Sequence, residues 1–169
     1  MRAMRVLRLL VHGRTREPVV VLGEADAEEG GARCVPVFLR RPQADAIALG
    51  HRGRDDLLLP QDVLVPVLRG LGHTLDGAEV TALTDGVFEA ALVCDGGVRV
   101  AVLPSDALAV AVREGLPIAM AEEILDEVGQ PVAAVFPDGV QPPPEEQVRE
   151  MRDFLQDASP EDFVDPPRP

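Results

Sequence analysis

The sequence predicts an α+β domain, a mostly antiparallel or mixed β-sheet packed with short helices and followed by one C-terminal helix. Three observations carry that expectation. Apolar runs of strand length recur over residues 4–39 and again over 78–103, separated by joints rich in Gly and Asp. Helical spacing interrupts them at 42–49 and 61–71, and a capped apolar segment follows at 105–115. With 169 residues and 46% hydrophobic content the chain can build one core. Its five aromatics are all Phe, so that core must be made of Val, Leu and Ala.

In order, Met4 to Val11, Pro18 to Leu22 and Cys34 to Leu39 read as strands. Val19-Val20-Val21-Leu22 suits a buried strand, and Pro36 points to an edge or a bulge. Pro42 opens a helix through Leu49 with Ala44, Ile47 and Ala48 on one face, and His51 to Asp56 is a charged loop. A second helix runs from Gln61 to Leu71, with Val63, Leu64, Val67, Leu68 and Leu71 at helical spacing. Three strands follow, Ala78 to Leu83, Val87 to Cys94 and Val98 to Leu103. They are joined by Thr84-Asp85-Gly86 and Asp95-Gly96-Gly97, because Asp-Gly tolerates the positive φ of a tight turn.

The segment from Leu103 to Ile118 has both ends of a helix written into it. Ser105 is placed to cap the first turn, and Asp106 follows where the helix dipole favours a carboxylate. Arg113 falls in the last turn and Gly115 can end the helix in a left-handed conformation. Ala107 to Val112 is apolar throughout, so this helix should be buried and the core should centre on it. Leu116 to Met120 reads as a short strand and Ala121 to Val128 as a short helix. Pro131 to Pro144 holds five prolines and reads as a linker. Glu145 to Gln156 recovers a helix with the apolar stripe Val148, Met151 and Leu155, and Asp157 to Pro169 is a loose polar tail. The division is a domain over 1–133, a linker over 134–144 and a helix with tail over 145–169.

A net charge of −13 argues against broad nucleic-acid binding, although metal ions or local arginines can offset it. All sixteen basic residues are Arg, five of them within the first sixteen positions. No apolar run approaches the roughly 20 residues that span a membrane. Cys34 and Cys94 lack the spacing of a zinc site or a disulfide framework, so a reducing cytoplasm is the expected location.

The residues also resemble a known family, the bifunctional nuclease domain proteins of bacteria and plants. The resemblance runs over about residues 4–163. It is carried by Val35-Pro36-Val37-Phe38 with Ala44-Asp45-Ala46-Ile47-Ala48-Leu49, and by Leu83-Thr84-Asp85-Gly86-Val87-Phe88-Glu89-Ala90. Pro104-Ser105-Asp106-Ala107, Gly115-Leu116-Pro117-Ile118 with Ala121-Glu122-Glu123, and the tail from Phe154-Leu155 to Ser159-Pro160-Glu161-Asp162-Phe163 complete it. The resemblance implies a compact α+β domain that self-associates, with nuclease activity on DNA and RNA. The chain departs from the family at polar positions. Gln43 stands where the family has Glu, Gln61 where it has His, and Ala101 and Leu103 where it favours Asp and Arg.

A metal-dependent nuclease needs hard oxygen ligands for magnesium or manganese. Asp106 and Asp62, each at a helix start, are the candidate catalytic and metal-binding carboxylates, provided the two helices open on one edge of the sheet. Each also fits as a helix-terminus stabiliser. Ser105 and His51 are further catalytic candidates, and Arg40, Arg41, Arg52 and Arg54 are candidate phosphate contacts. Asp85 fits a hairpin turn better than a ligand role, and His12 and His73 fall outside the family's histidine position. Two functions follow: a divalent-ion nuclease, or a catalytically degenerate oligomeric or regulatory domain on the same fold. The expected partners are a second copy of the chain and nucleic acid, with no membrane.

Overall fold

One eight-stranded sheet organises the chain, as seen in a computed structural model that describes residues 1–13, 15–27, 31–53 and 58–140. The strands are β1 (Arg2–Val11), β2 (Pro18–Glu24), β3 (Arg33–Phe38), β4 (Leu75–Thr84), β5 (Val87–Cys94), β6 (Arg99–Val102), β7 (Ile118–Met120) and β8 (Gln130–Pro131). Their order across the sheet is β6-β5-β4-β7-β1-β2-β3-β8. Every pairing is antiparallel except β4 with β7, so the sheet is mixed and the fold is α+β. The helices are α1 (Arg41–Leu49), α2 (Leu64–Gly70), α3 (Pro104–Glu114), α4 (Glu122–Val128) and α5 (Val132–Val135), with a 3-10 turn over Pro60–Val63 before α2.

Local chemistry explains the joints. Thr84 pairs with Val87 around Asp85 and Gly86, whose φ values of 52° and 78° are both positive, the signature of a type I′ hairpin turn. Asp85 is therefore a turn residue. The helix expected over 61–71 is divided because Pro66 lacks an amide hydrogen. It falls in the first turn of α2, where that hydrogen has no helical partner to lose. Gly115 ends α3 at φ 65° and ψ 32°, and Leu116 N–H reaches back to the Ala111 carbonyl at 2.8 Å.

The sequence-based expectation for the start of α3 needs correction. Pro104 opens the helix and Leu103 is its N-cap, with no side-chain capping bond. Ser105 is thus one position inside the helix and buried, and does not cap it. Proline, whose fixed φ is already helical, displaces the serine from the role its chemistry favours.

Two antiparallel steps separate β6 from β4, so β6 runs parallel to β4 and β7. The segment β6-α3-β7 is therefore a parallel crossover. It carries α3 over β5 and β4 and drops β7 into the middle of the sheet, between β4 and β1. Ala107, Leu108, Ala109, Val110 and Ala111 of α3 are all buried in the main core, with Val20 and Leu22 of β2, Val35 and Val37 of β3, and Val80 of β4. The expectation that the core centres on this helix holds. On the other side of β2 and β3, Val21 and Cys34 pack with Phe136, Val132, Val135 and Val140. Short structure thus continues through β8 and α5, in a stretch whose prolines had suggested a linker. The helix expected over 145–156 and the tail beyond it lie outside the described residues.

Leu108 is completely buried, so Leu108→Ala is expected to cost about 2–5 kcal/mol by loss of transfer energy and a residual cavity. Urea unfolding followed by circular dichroism measures it.

Candidate active site at the mouth of two helices

α1 and α3 lie side by side and open at the same place. Gln43 is the third residue of α1 and Asp106 the third of α3, and the Gln43 amide donates to Asp106 Oδ1 at 2.6 Å. The positive ends of two helix dipoles therefore meet at one locus, occupied by a single carboxylate. The other amide atom, Gln43 Oε1, is buried with no hydrogen-bond partner. An unsatisfied buried carbonyl oxygen costs about 1–3 kcal/mol, so this atom calls for a donor or a cation. Ser105 is buried one residue before Asp106, and Arg40 and Arg41 stand exposed where α1 begins. Two residues after Gln43, burial pushes the Asp45 carboxyl above its ordinary value, against the pull of Arg41.

Asp62 is elsewhere. It lies in the 3-10 turn before α2 and is bound to Arg113, in the last turn of α3. Arg113 Nε donates to Oδ1 at 3.2 Å and Nη2 to Oδ2 at 2.9 Å, and the Leu59 amide also donates to Oδ2 at 2.9 Å. Both residues are almost fully buried, at 2% and 1% exposure. The Arg113 hydrogen bonds hold the Asp62 carboxyl below its ordinary value. Burial opposes them, and the Leu59 amide adds to them.

The same end of α3 gathers the loop that follows α1. Arg113 Nη1 donates to the Gly50 carbonyl at 3.3 Å, the Arg52 amide donates to the Arg113 carbonyl at 2.8 Å, and Arg52 pairs with Glu114 at 3.1 Å. His51 packs over Gly115, where an added Cβ would come within 2.6 Å of the imidazole ring. Any larger residue at 115 would have to move that ring.

The sequence-predicted site residues therefore fall into two groups. Asp106, Ser105, Arg40 and Arg41 gather at the mouth, whereas Asp62, His51 and Arg52 gather at the far end of the same helices. Arg54 lies outside the described residues. Asp106 and Arg113 are about two turns apart, roughly 10 Å of helix rise. Metal–oxygen bonds of about 2.1 Å cannot bridge that separation, so Asp62 and Asp106 do not meet around one ion. The expectation failed because the helix opening beside α3 is α1, and its third residue is Gln43. In the sequence, Gln43 reads only as a carboxylate lost relative to the family resemblance.

No group of three His, Cys, Asp or Glu side chains able to hold a metal occurs among the described residues. A hard divalent ion at the mouth would take Asp106 and Gln43 Oε1 from the protein and its other ligands from water or phosphate. Magnesium accepts such a set, since it commonly keeps several waters and binds one or two carboxylates. A concavity elsewhere, bordered by Arg2, Glu24, Asp26 and Arg33, is a less suitable anion site. Its arginines are already bound to carboxylates, Arg2 to Glu122 and Arg33 to Glu24 and Asp126.

Comparison with known proteins bears on the same segment. The family model for the bifunctional nuclease domain matches residues 20–133, from β2 through the first residues of α5. The chain belongs to the bifunctional nuclease domain family. Two relatives from Mycobacterium tuberculosis, Uncharacterized protein MT1877 and Uncharacterized protein Rv1829, are each 31% identical to it over 166 residues. The alignments cover 95% of this chain and 96% of each relative. The match contains α1, α3, both ends of the helix pair and the whole Asp62–Arg113 contact.

Removing one member of a buried, hydrogen-bonded ion pair leaves a stranded charge. Asp62→Ala is expected to cost about 3–5 kcal/mol in chemical unfolding, and the double variant Asp62→Leu with Arg113→Met less than that. A carboxyl with a depressed folded pKa contributes stability above its unfolded value and loses it as pH falls. The wild type should therefore lose stability more steeply than the double variant on acidification below about pH 4, read from melting temperatures across pH 2–7.

Proposed function

We propose that this chain hydrolyses phosphodiester bonds in DNA or RNA at the mouth shared by α1 and α3. The observation that carries the reading is the Gln43–Asp106 hydrogen bond. It brings two helix N-termini to one locus inside a bifunctional nuclease domain and leaves a buried carbonyl oxygen free beside a carboxylate. Asp106 and Gln43 Oε1 would hold magnesium or manganese, which when bound supplies an activated water and charge stabilisation at phosphorus. Arg40 and Arg41, at the positive end of the α1 dipole, receive a phosphate and set its orientation. Ser105 lies against this site as a polar group on the same turn as Asp106. Asp62, His51 and Arg52 act as positioning residues that hold the far ends of the helices. The free thiols of Cys34 and Cys94 fit action in the cytoplasm, and a self-associating domain fits the family. No helix among the described residues is long and apolar enough to cross a membrane.

A second reading has observations of its own. The chain carries a net charge of −13, and Asp62 is committed to Arg113. At the positions where the family resemblance leads one to expect Asp and Arg, Ala101 and Leu103 are apolar and exposed. These favour a non-catalytic oligomeric or regulatory domain.

One assay separates the two. Purified protein is incubated with single-stranded DNA, duplex DNA and RNA, with magnesium, with manganese and with EDTA. The hydrolytic reading expects metal-dependent cleavage that Asp106→Asn reduces by at least about a hundredfold while the variant stays folded at the assay temperature. Cleavage that is absent, or equal in the variant, establishes the non-catalytic reading instead.

A further inference from the structure

The sheet ends on β6, and this edge is unusual for a water-facing strand. Val98, Val100 and Leu103 are 58%, 48% and 45% exposed along it. The Cys94 amide donates to the Val98 carbonyl at 2.8 Å, and Leu92 and Ala90 stand opposite Val100 and Val102. In an antiparallel ladder the main-chain groups alternate in direction. Those of 98, 100 and 102 therefore turn toward β5, and those of Arg99 and Ala101 turn outward, off the end of the sheet.

Open edges are ordinarily blunted by lysine, proline, a bulge or an inward-pointing charge. β6 has no Lys or Pro, and its register with β5 is unbroken. Its one charge, Arg99, reaches across β5 to Glu79 at 2.7 and 3.1 Å, so it lies along the sheet face and leaves the edge unguarded.

We propose that β6 pairs antiparallel with β6 of a second copy of this chain, continuing the sheet across a two-fold axis near Ala101. Charge selects that occupant. Two copies each carrying −13 repel over most approaches, yet the segment between Asp95 and Asp106 holds no carboxylate. Antiparallel self-pairing over 99–103 also sets Arg99 opposite Leu103 of the other copy, so no like charges face each other. The contact is isologous and closes after two copies, which an open-ended strand stack does not. Because α3 leaves β6 directly through Leu103, the pairing brings the partner's Val98 beside the mouth of α1 and α3. The proposal rests on the self-association named above and is independent of hydrolysis.

Sedimentation velocity on the full-length chain over a range of concentrations tests it. The wild type is expected to be a dimer that tightens with added salt, as screening relieves the mutual repulsion. Ala101→Pro removes an outward amide and no bond to β5, and Val98→Glu puts carboxylates into the contact. Each should weaken the dimer by at least about tenfold while leaving the far-UV circular dichroism unchanged. If Ala101→Pro fails to fold, Val98→Glu alone decides. A monomeric wild type overturns both the edge pairing and self-association. A dimer that folded variants leave intact overturns the edge pairing alone and points to another surface, such as the exposed Val63, Val67 and Leu71 on and beside α2.

Discussion

The bidentate contact between Arg113 and Asp62 connects parts of this protein that its sequence keeps far apart. It joins the last turn of α3 to the 3-10 turn before α2, and through the Gly50 carbonyl to the end of α1. Two charges removed from water need nearly complete hydrogen bonding to be tolerated, and the pair supplies it. Both carboxylate oxygens accept bonds, and the guanidinium is engaged on several nitrogens. Since the desolvation cost offsets much of the attraction, the gain is specificity of arrangement more than stability. A one-residue slip of α3 would strand both charges. The contact therefore sets where α3 ends, and a straight helix with a determined end also has a determined beginning.

That beginning is where the chemistry of the domain can lie. With α3 held at its C-terminus and α1 held beside it, Gln43 and Asp106 meet at the opposite end, under two helix dipoles. The scaffold separates two tasks that a list of polar residues would merge. Carboxylates at one end are consumed by structure, and the carboxylate at the other is partnered by a neutral amide. Where the family resemblance implies Glu, Gln43 supplies an amide N–H that donates to Asp106, and it carries no negative charge.

The crossover from β6 through α3 to β7 links that mouth to the rim of the sheet. Ala101 and Leu103 stand where the family resemblance implies polar residues, and both lie on the exposed edge that leads into α3. Apolar side chains there lower the cost of covering the edge. In the proposed pairing, the side chains that stand in place of polar chemistry are also the ones that form the contact. Whatever covers β6 also shields the approach to Pro104, Ser105 and Asp106 from that direction.

Much of this architecture is local and was legible in the residues. Val19 to Leu22, the Asp85-Gly86 turn, the apolar run from Ala107 to Val112 and the stop at Gly115 each answer to short-range rules of periodicity, turn geometry and capping. The start of α3 shows where such rules stop: Ser105 has the chemistry of a cap, yet the neighbouring Pro104 takes the first helical position and turns it inward. The parallel placement of β7 and the pairing of Asp62 with Arg113, fifty-one positions apart, left no local trace. Nor did the meeting of Gln43 with Asp106. Spacing along a chain determines which face of an element a residue occupies. Which element lies against that face is decided by the sheet order and the crossover, through packing over long sequence distances. The sequence by itself determined most of the elements up to residue 128, the family and the polar positions in question; only the tertiary structure decided that Asp62 belongs to the frame and Asp106 to the mouth.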